Sequence, residues 1–222
     1  MSETRWEQAR AHERATGQGG YGAHFARLMS DGVDIEGEAR LADVLAPRRA
    51  RILDAGSGMG RVGAALIARG HHVVGVDFDP EILDQSRRTF PELPLVDSRL
   101  DELSPAKLSD AGHPAAYDLL VCVGNVMILL APDTERTVLR NLAALLAPTG
   151  RLLVGFALSG APSGFSRSYP LAEFVADYEA VGLELVHRFA SYDLDPFTED
   201  STYVVQVLRR AGMRGRGGTA EG

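Results

Sequence analysis

Residues 52–61 read Ile-Leu-Asp-Ala-Gly-Ser-Gly-Met-Gly-Arg, an apolar run that ends in three alternating glycines. Few arrangements accommodate that pattern. A β-strand that enters a sharp turn and leaves it as a helix is one. Glycine permits the positive φ such a turn requires, and it lets a ligand approach the main chain. The helix that follows offers free N–H groups and a partial positive charge at its start. A strand, glycine loop and helix in this order form a ligand-binding turn at the carboxyl edge of a parallel sheet.

The surrounding pattern predicts the rest of that sheet. Short apolar runs at 51–55, 72–76, 94–96, 117–123 and 151–156 read as strands. The run at 117–123 is apolar on both faces, as a central parallel strand is. Helices are predicted over 59–69, with Val62, Leu66 and Ile67 on one side, and over 133–146, ended by Pro148 and Gly150. A third opens at Asp79-Pro80, with Asp as N-cap and Pro at the first helical position. This β-α-β-α order predicts an α/β fold, a doubly wound open sheet with helices on both faces. Residues 1–46 read as an N-terminal helical cap segment broken at the glycine-rich 17–20, and 47–210 as the core domain. Within the core, 159–168 reads as a Ser, Gly and Pro loop. Two further strands, at 183–190 and 202–208, flank the acidic turn 193–200. Residues 211–222 are glycine-rich and predict a disordered tail, so the Arg209, Arg210, Arg214 and Arg216 cluster reads as a solvated end.

The loop itself discriminates between ligands. A dinucleotide fingerprint needs a third glycine at the sixth position counted from Gly56, and Arg61 stands there. The chain has D-x-G-x-G-x-G instead, and its leading carboxylate, Asp54, suits a ligand with a cationic amino group better than a pyrophosphate. Asp77 closes the second strand, 21 residues after Gly56, where a carboxylate accepts hydrogen bonds from both hydroxyls of a ribose. Asp97 follows the third strand, 20 residues further on. All three acids fall on one edge of the sheet.

Composition narrows the function classes. Thirty acidic residues against 23 basic give a net charge of −7, which argues against a wholly basic nucleic-acid binder. The single cysteine, Cys122, excludes an internal disulfide framework, and its apolar setting reads as a buried small hydrophobe. The first twenty residues are charged and have no apolar stretch, so no secretory leader is expected. The longest apolar run, 119–131, is interrupted by Asn125 and is too short to span a bilayer. A soluble, cytoplasmic protein is expected. His71 and His72 begin a strand at the face opposite the glycine loop and read as structural. His12 falls on a charged helix and His113 in a loop.

Asp54 to Gly60, Asp77 and Asp97 resemble motifs I, II and III of the class I S-adenosylmethionine-dependent methyltransferases. The resemblance runs from about residue 50 to 158 and more loosely to 208. It implies a Rossmann-like, doubly wound seven-stranded sheet, mostly parallel, with an antiparallel strand in a C-terminal hairpin. It implies S-adenosylmethionine as cofactor, with Asp54, Gly56, Ser57, Gly58 and Gly60 about its methionine part. Asp77 and Phe78 would then lie at the ribose, Asp97 and Ser98 at the adenine, and Asn125 near the transferred methyl group. No general base is singled out, and Tyr21, His24 and His187 are candidates by position alone. In the family, the segments holding Tyr21 and His24, and that holding Tyr169, shape the cofactor cap and the substrate pocket. Trp6, Phe25 and Phe165 would line an apolar lid or belong to the core.

Departures from the family limit the acceptor. Members that methylate exocyclic amines of bases or of glutamine carry N/D-P-P-Y/F after the fourth strand, and this chain has Gly124-Asn125-Val126-Met127. Catechol-type members use an acidic metal cluster near the fourth strand, and no Asp lies between Val123 and Asp133. No metal is therefore expected. A small-molecule acceptor is expected, with neither nucleic acid nor membrane as partner, and the oligomeric state is open. Two other classes stand beside this reading. One is a non-catalytic protein of the same fold that binds the cofactor or a nucleoside. The other is an NAD-dependent oxidoreductase, against which Arg61 and Asp54 argue.

Overall fold

The computed structural model describes residues 2–17, 27, 31, 33–160 and 164–212. Seven strands form one sheet: β1 (Arg51–Ala55), β2 (His72–Asp77), β3 (Leu95–Asp97), β4 (Tyr117–Cys122), β5 (Leu146–Ala157), β6 (Leu183–Phe189) and β7 (Tyr203–Arg210). Their order is β3-β2-β1-β4-β5-β7-β6. Pairing is parallel from β3 to β5, and β7 runs antiparallel to both β5 and β6. The expected doubly wound sheet with its antiparallel hairpin strand is therefore present. The helices among the described residues are α1 (Arg5–Thr16), α2 (Gly37–Leu45), α3 (Arg61–Ala68), α4 (Pro80–Thr89), α5 (Pro105–Asp110), α6 (Glu135–Leu145) and α7 (Leu171–Ala180).

Alternation along the central strands divides the core between two faces. Leu53, Leu120, Cys122, Leu152 and Val154 pack with Val138, Leu142 and Phe174 of α6 and α7. Ile52, Leu119, Val121 and Leu153 pack on the other face with Leu41 of α2 and with Val62 and Leu66 of α3. Because both faces are covered, the central strands reach solvent chiefly at their ends. The chain winds outward from β1 to β3 and then returns to β4, leaving a crevice at the carboxyl ends of β1 and β4.

Helix starts lie later than the spacing predicts. Gly60 and Asp133 have φ of +86° and +62°, so neither joins the helix after it. The onset of β5 is earlier than predicted, at Leu146, because Leu146 pairs with Tyr117 before a register shift. Pro148 and Gly150 sit inside that irregular stretch, where a Cβ on Gly150 would come 2.7 Å from the Tyr117 carbonyl. Asp79 caps α4 as expected, accepting from Glu81 N and Ile82 N. In the N-terminal segment, Thr4 and Glu7 close a capping box on α1, and Gly17 ends that helix in the left-handed region. Residues 18–20, 161–163 and 213–222, which carry the glycine break, part of the 159–168 loop and nearly all of the predicted tail, lie outside the described residues.

Candidate functional site

The glycine loop leaves β1 and folds back onto β2. Gly56 N–H and Ser57 N–H both donate to the Val76 carbonyl, at 2.8 and 2.9 Å. Gly56, Gly58 and Gly60 all have positive φ. Gly56 is required twice over, since a Cβ there would also stand 2.5 Å from Val126 Cγ2. The loop is thus pressed against the turn that follows β4. Gly58 N–H donates to Asp77 Oδ2 at 2.9 Å, and Asp77 Oδ1 accepts from Phe78 N and Asp79 N. Burial raises the Asp77 carboxyl above its ordinary range, and the three N–H donors hold it back.

A cavity of about 1120 Å³ opens above these strand ends. Gly56, Gly58, Asp77, Phe78, Ser98 and Asn125 line it, six of the ten cofactor residues that the resemblance implies. Asn125 takes φ of +77°, a conformation Asn tolerates, and its Oδ1 accepts from Ala157 N at 2.8 Å. That bond joins the end of β4 to the end of β5 and accounts for a polar residue in an apolar run.

Asp54, Ser57 and Gly60 lie beneath the loop, off the cavity wall. Asp54 is 2% exposed, and its Oδ2 has no hydrogen-bond partner, like the Ser57 hydroxyl. Burial pushes the Asp54 carboxyl up to about 7, against the opposing pull of Arg61 and the Gly63 N–H. Asp97 ends β3 in register with Asp77, but its side chain is exposed. The cavity wall there consists of Ser98 to Asp101. Arg99 forks onto Asp101 through Nε and Nη2, at 3.0 and 2.8 Å, with its guanidinium 5.9 Å from the Phe78 ring centre.

Of the three catalytic candidates, one lies among the described residues. His187 lies on the exposed face of edge strand β6, stacked at 6.0 Å on Phe189. Tyr21 and His24 lie outside the described residues, as does Phe25. Tyr169 is wholly buried and donates to Asp177 Oδ2 at 2.7 Å, so it is core. Cys122 is likewise buried, its thiol pushed up to about 12. His71 accepts from Ala50 N and meets Asp43, a structural arrangement. Trp6 and Phe165 do line the cavity: Trp6 Nε1 donates to Asp79 at 2.9 Å, and Phe165 meets His12 of α1 at 5.4 Å.

Three lining residues escaped the motif reading. Glu38 of α2 grips Arg61 with both oxygens, at 2.7 and 3.0 Å. Tyr192, in the β6–β7 loop, and Tyr203, opening β7, meet hydroxyl to hydroxyl at 3.0 Å. Burial raises both phenols well above their ordinary range. Among the described residues, no group of three or more His, Cys, Asp or Glu is placed to hold a metal ion, and no helix is long and apolar enough to cross a membrane.

The chain was compared with known proteins. The methyltransferase domain family (Methyltransf_12) matches residues 53–152. A TehB-like SAM-dependent methyltransferase from Corynebacterium glutamicum is 36% identical, with a TM-score of 0.73 over 90% of this chain and 99% of that one. A ubiquinone biosynthesis O-methyltransferase from Xanthomonas axonopodis pv. citri is 29% identical over 60% of this chain and 53% of its own length. A ribosomal protein L11 methyltransferase from Chromohalobacter salexigens is 35% identical over 50% of this chain and 34% of its own. The matched region thus spans about half the length of the first of these two relatives and a third of the second.

Proposed function

The chain belongs to the S-adenosylmethionine-dependent methyltransferases, and we propose that its cavity binds S-adenosylmethionine beside a small-molecule acceptor. The observation that carries this reading is the size and lining of the cavity. At about 1120 Å³ it exceeds the ~300–1,000 Å³ that one drug-sized ligand fills. The glycine loop and Asp77 line it together with Glu38, Tyr192 and Tyr203.

The residues present fit the cofactor. Gly56 and Gly58 offer a cradle with no side chains, and a Cβ at Gly56 would close it against Val126. The Asp77 carboxylate is positioned to accept from ribose hydroxyls. Ser98, Arg99 and Phe78 form the wall where the adenine would rest. When bound, the cofactor supplies a methyl group already activated by its sulfonium. The chain then has to align the acceptor and exclude water, which α1 and the Phe165 segment do from above. His12 and Glu13 of α1 also line the cavity, and the reading assigns the work to alignment rather than to a base.

Calorimetric titration with S-adenosylmethionine, S-adenosylhomocysteine and NAD tests this. Micromolar binding of the first two with no heat from NAD is the expected result, followed by methyl transfer in an acceptor screen. Binding of NAD alone would overturn the cofactor assignment. Methyl transfer confined to protein or nucleic acid would overturn the acceptor class.

A further inference from the structure

The side of the cavity away from the glycine loop is built by α2, the β6–β7 loop and the start of β7. Tyr192 and Tyr203 meet there hydroxyl to hydroxyl, their rings edge to face at 5.8 Å. Gly155 of β5 makes room for the pair, because a Cβ at that position would occupy the space of the Tyr192 hydroxyl. Charge at this end is acidic by one, with Glu38, Asp34 and Asp193 against Arg61 and Arg40. Glu38 is held by both its oxygens on Arg61, and Arg40 is held by Asp34 and Asp193.

We propose that Tyr192 and Tyr203 form the polar end of the acceptor subsite, and that this subsite takes a ring-sized molecule without negative charge through its hydroxyl group. The proposal rests on the methyltransferase reading of the cavity. Within a hydroxyl pair one oxygen donates to the other, so the pair retains one O–H and spare lone pairs for a guest. A guest hydroxyl, which both donates and accepts, satisfies both. Both phenols stay neutral because burial raises them. Val123, Val126 and Leu129 give the cavity an apolar wall for the body of the guest. An anionic guest would leave water without a free counter-charge, since Arg61 is committed to Glu38 and Arg40 to Asp34 and Asp193.

The test uses phenol, toluene and benzoate as probes. Each is titrated into the full chain, with and without saturating S-adenosylhomocysteine, and followed by saturation-transfer NMR. The wild-type chain should prefer phenol over toluene by about tenfold, the worth of a hydrogen bond in a half-buried site, and should not prefer benzoate. Tyr192→Phe with Tyr203→Phe should abolish the preference and leave S-adenosylhomocysteine affinity within about twofold. Gly155→Ala, which keeps both hydroxyls but displaces one, should reduce it as well. A phenol preference that survives the double variant would overturn the proposal, as would tighter binding of benzoate. Loss of S-adenosylhomocysteine binding in the Phe variants would also overturn it, by assigning the pair to the cofactor side. Failure of S-adenosylhomocysteine to bind the wild-type chain would refute the cofactor reading instead, and the titrations without it would still decide the subsite.

Discussion

The Gly58 N–H donates to Asp77 Oδ2 at 2.9 Å, so the middle of the glycine loop is held by the carboxylate that closes β2. The same carboxylate accepts from Phe78 N and Asp79 N. Asp77 therefore shapes the loop as well as facing the cavity. Asp77→Ala should weaken S-adenosylhomocysteine binding by tenfold or more, since one ribose-facing acceptor and one loop anchor are lost together, at ~1 kcal/mol for each hydrogen bond. Asp77→Asn keeps an acceptor for Phe78 and Asp79 but turns an amide donor toward Gly58, and should fall between. Calorimetry on the three proteins checks the order. Wild-type affinity in the Ala variant would remove Asp77 from the site.

Gly56 and Val126 form a second linked pair. With φ of +80° and Val126 Cγ2 at 2.5 Å from a notional Cβ, Gly56→Ala suffers both backbone strain and overlap. The strain is ~1–2 kcal/mol, and the overlap adds a comparable amount. Val126→Ala should relieve only the overlap. A double-mutant cycle on melting temperature should thus give partial recovery. Strict additivity would mean that the loop and the turn after β4 do not press on each other.

Much of this arrangement was legible before any coordinates, because its signals are local. β1 is bounded by charge and glycine, and Gly56 and Asp77 stand at a spacing that only a β-α-β unit brings together. The onset of β5 was not legible: Pro148 and Gly150 signal a turn, and only pairing with Tyr117 holds that segment in the sheet. Asp97 and Asp101 are equivalent on paper, and which one turns inward depends on the path of the chain after β3. Tyr192 and Tyr203 meet because the β6–β7 hairpin returns to the cavity, and Glu38 meets Arg61 because α2 packs on α3. No spacing rule encodes such contacts.

Asp54 predicts a pH dependence. Its carboxyl is raised from an ordinary 3.8 to about 7, so between those values the folded chain keeps a proton that the unfolded chain releases. Its contribution is therefore present at low pH, declines as pH rises toward 7, and levels off above. A shift of this size corresponds to a few kcal/mol, on the order of 4 at most. Asp54→Asn should remove that decline. Denaturant unfolding from about pH 4 to 8, read as the difference between the two proteins, isolates this group from others that titrate in both. Parallel stability profiles would show that Asp54 is ionised throughout the range.

Glu135 ties two segments that roof the cavity. It is 3% exposed and holds Arg167 at 2.6 Å and Arg5 at 3.5 Å. Arg167 lies just beyond Phe165, and Arg5 opens α1. Among the described residues, the α1 backbone is bonded to the rest of the fold at its start, by Arg5 N–H and Trp6 N–H to the Leu130 and Leu129 carbonyls. Trp6 and Arg10 add side-chain anchors on Asp79. Glu135→Gln should leave two arginines against a neutral amide, costing ~1–3 kcal/mol because both arginines are partly solvated. The loss should be local, since the sheet does not depend on this contact. Hydrogen exchange should quicken across residues 5–16 and in the segment after Phe165, while β1 and β4 keep their protection. Cofactor release should quicken with it if α1 must lift for the ligand to leave. Unchanged exchange in α1 would assign its docking to the backbone bonds at its start and to the Asp79 anchors, and Trp6→Phe with Arg10→Ala would then be the variants that loosen it.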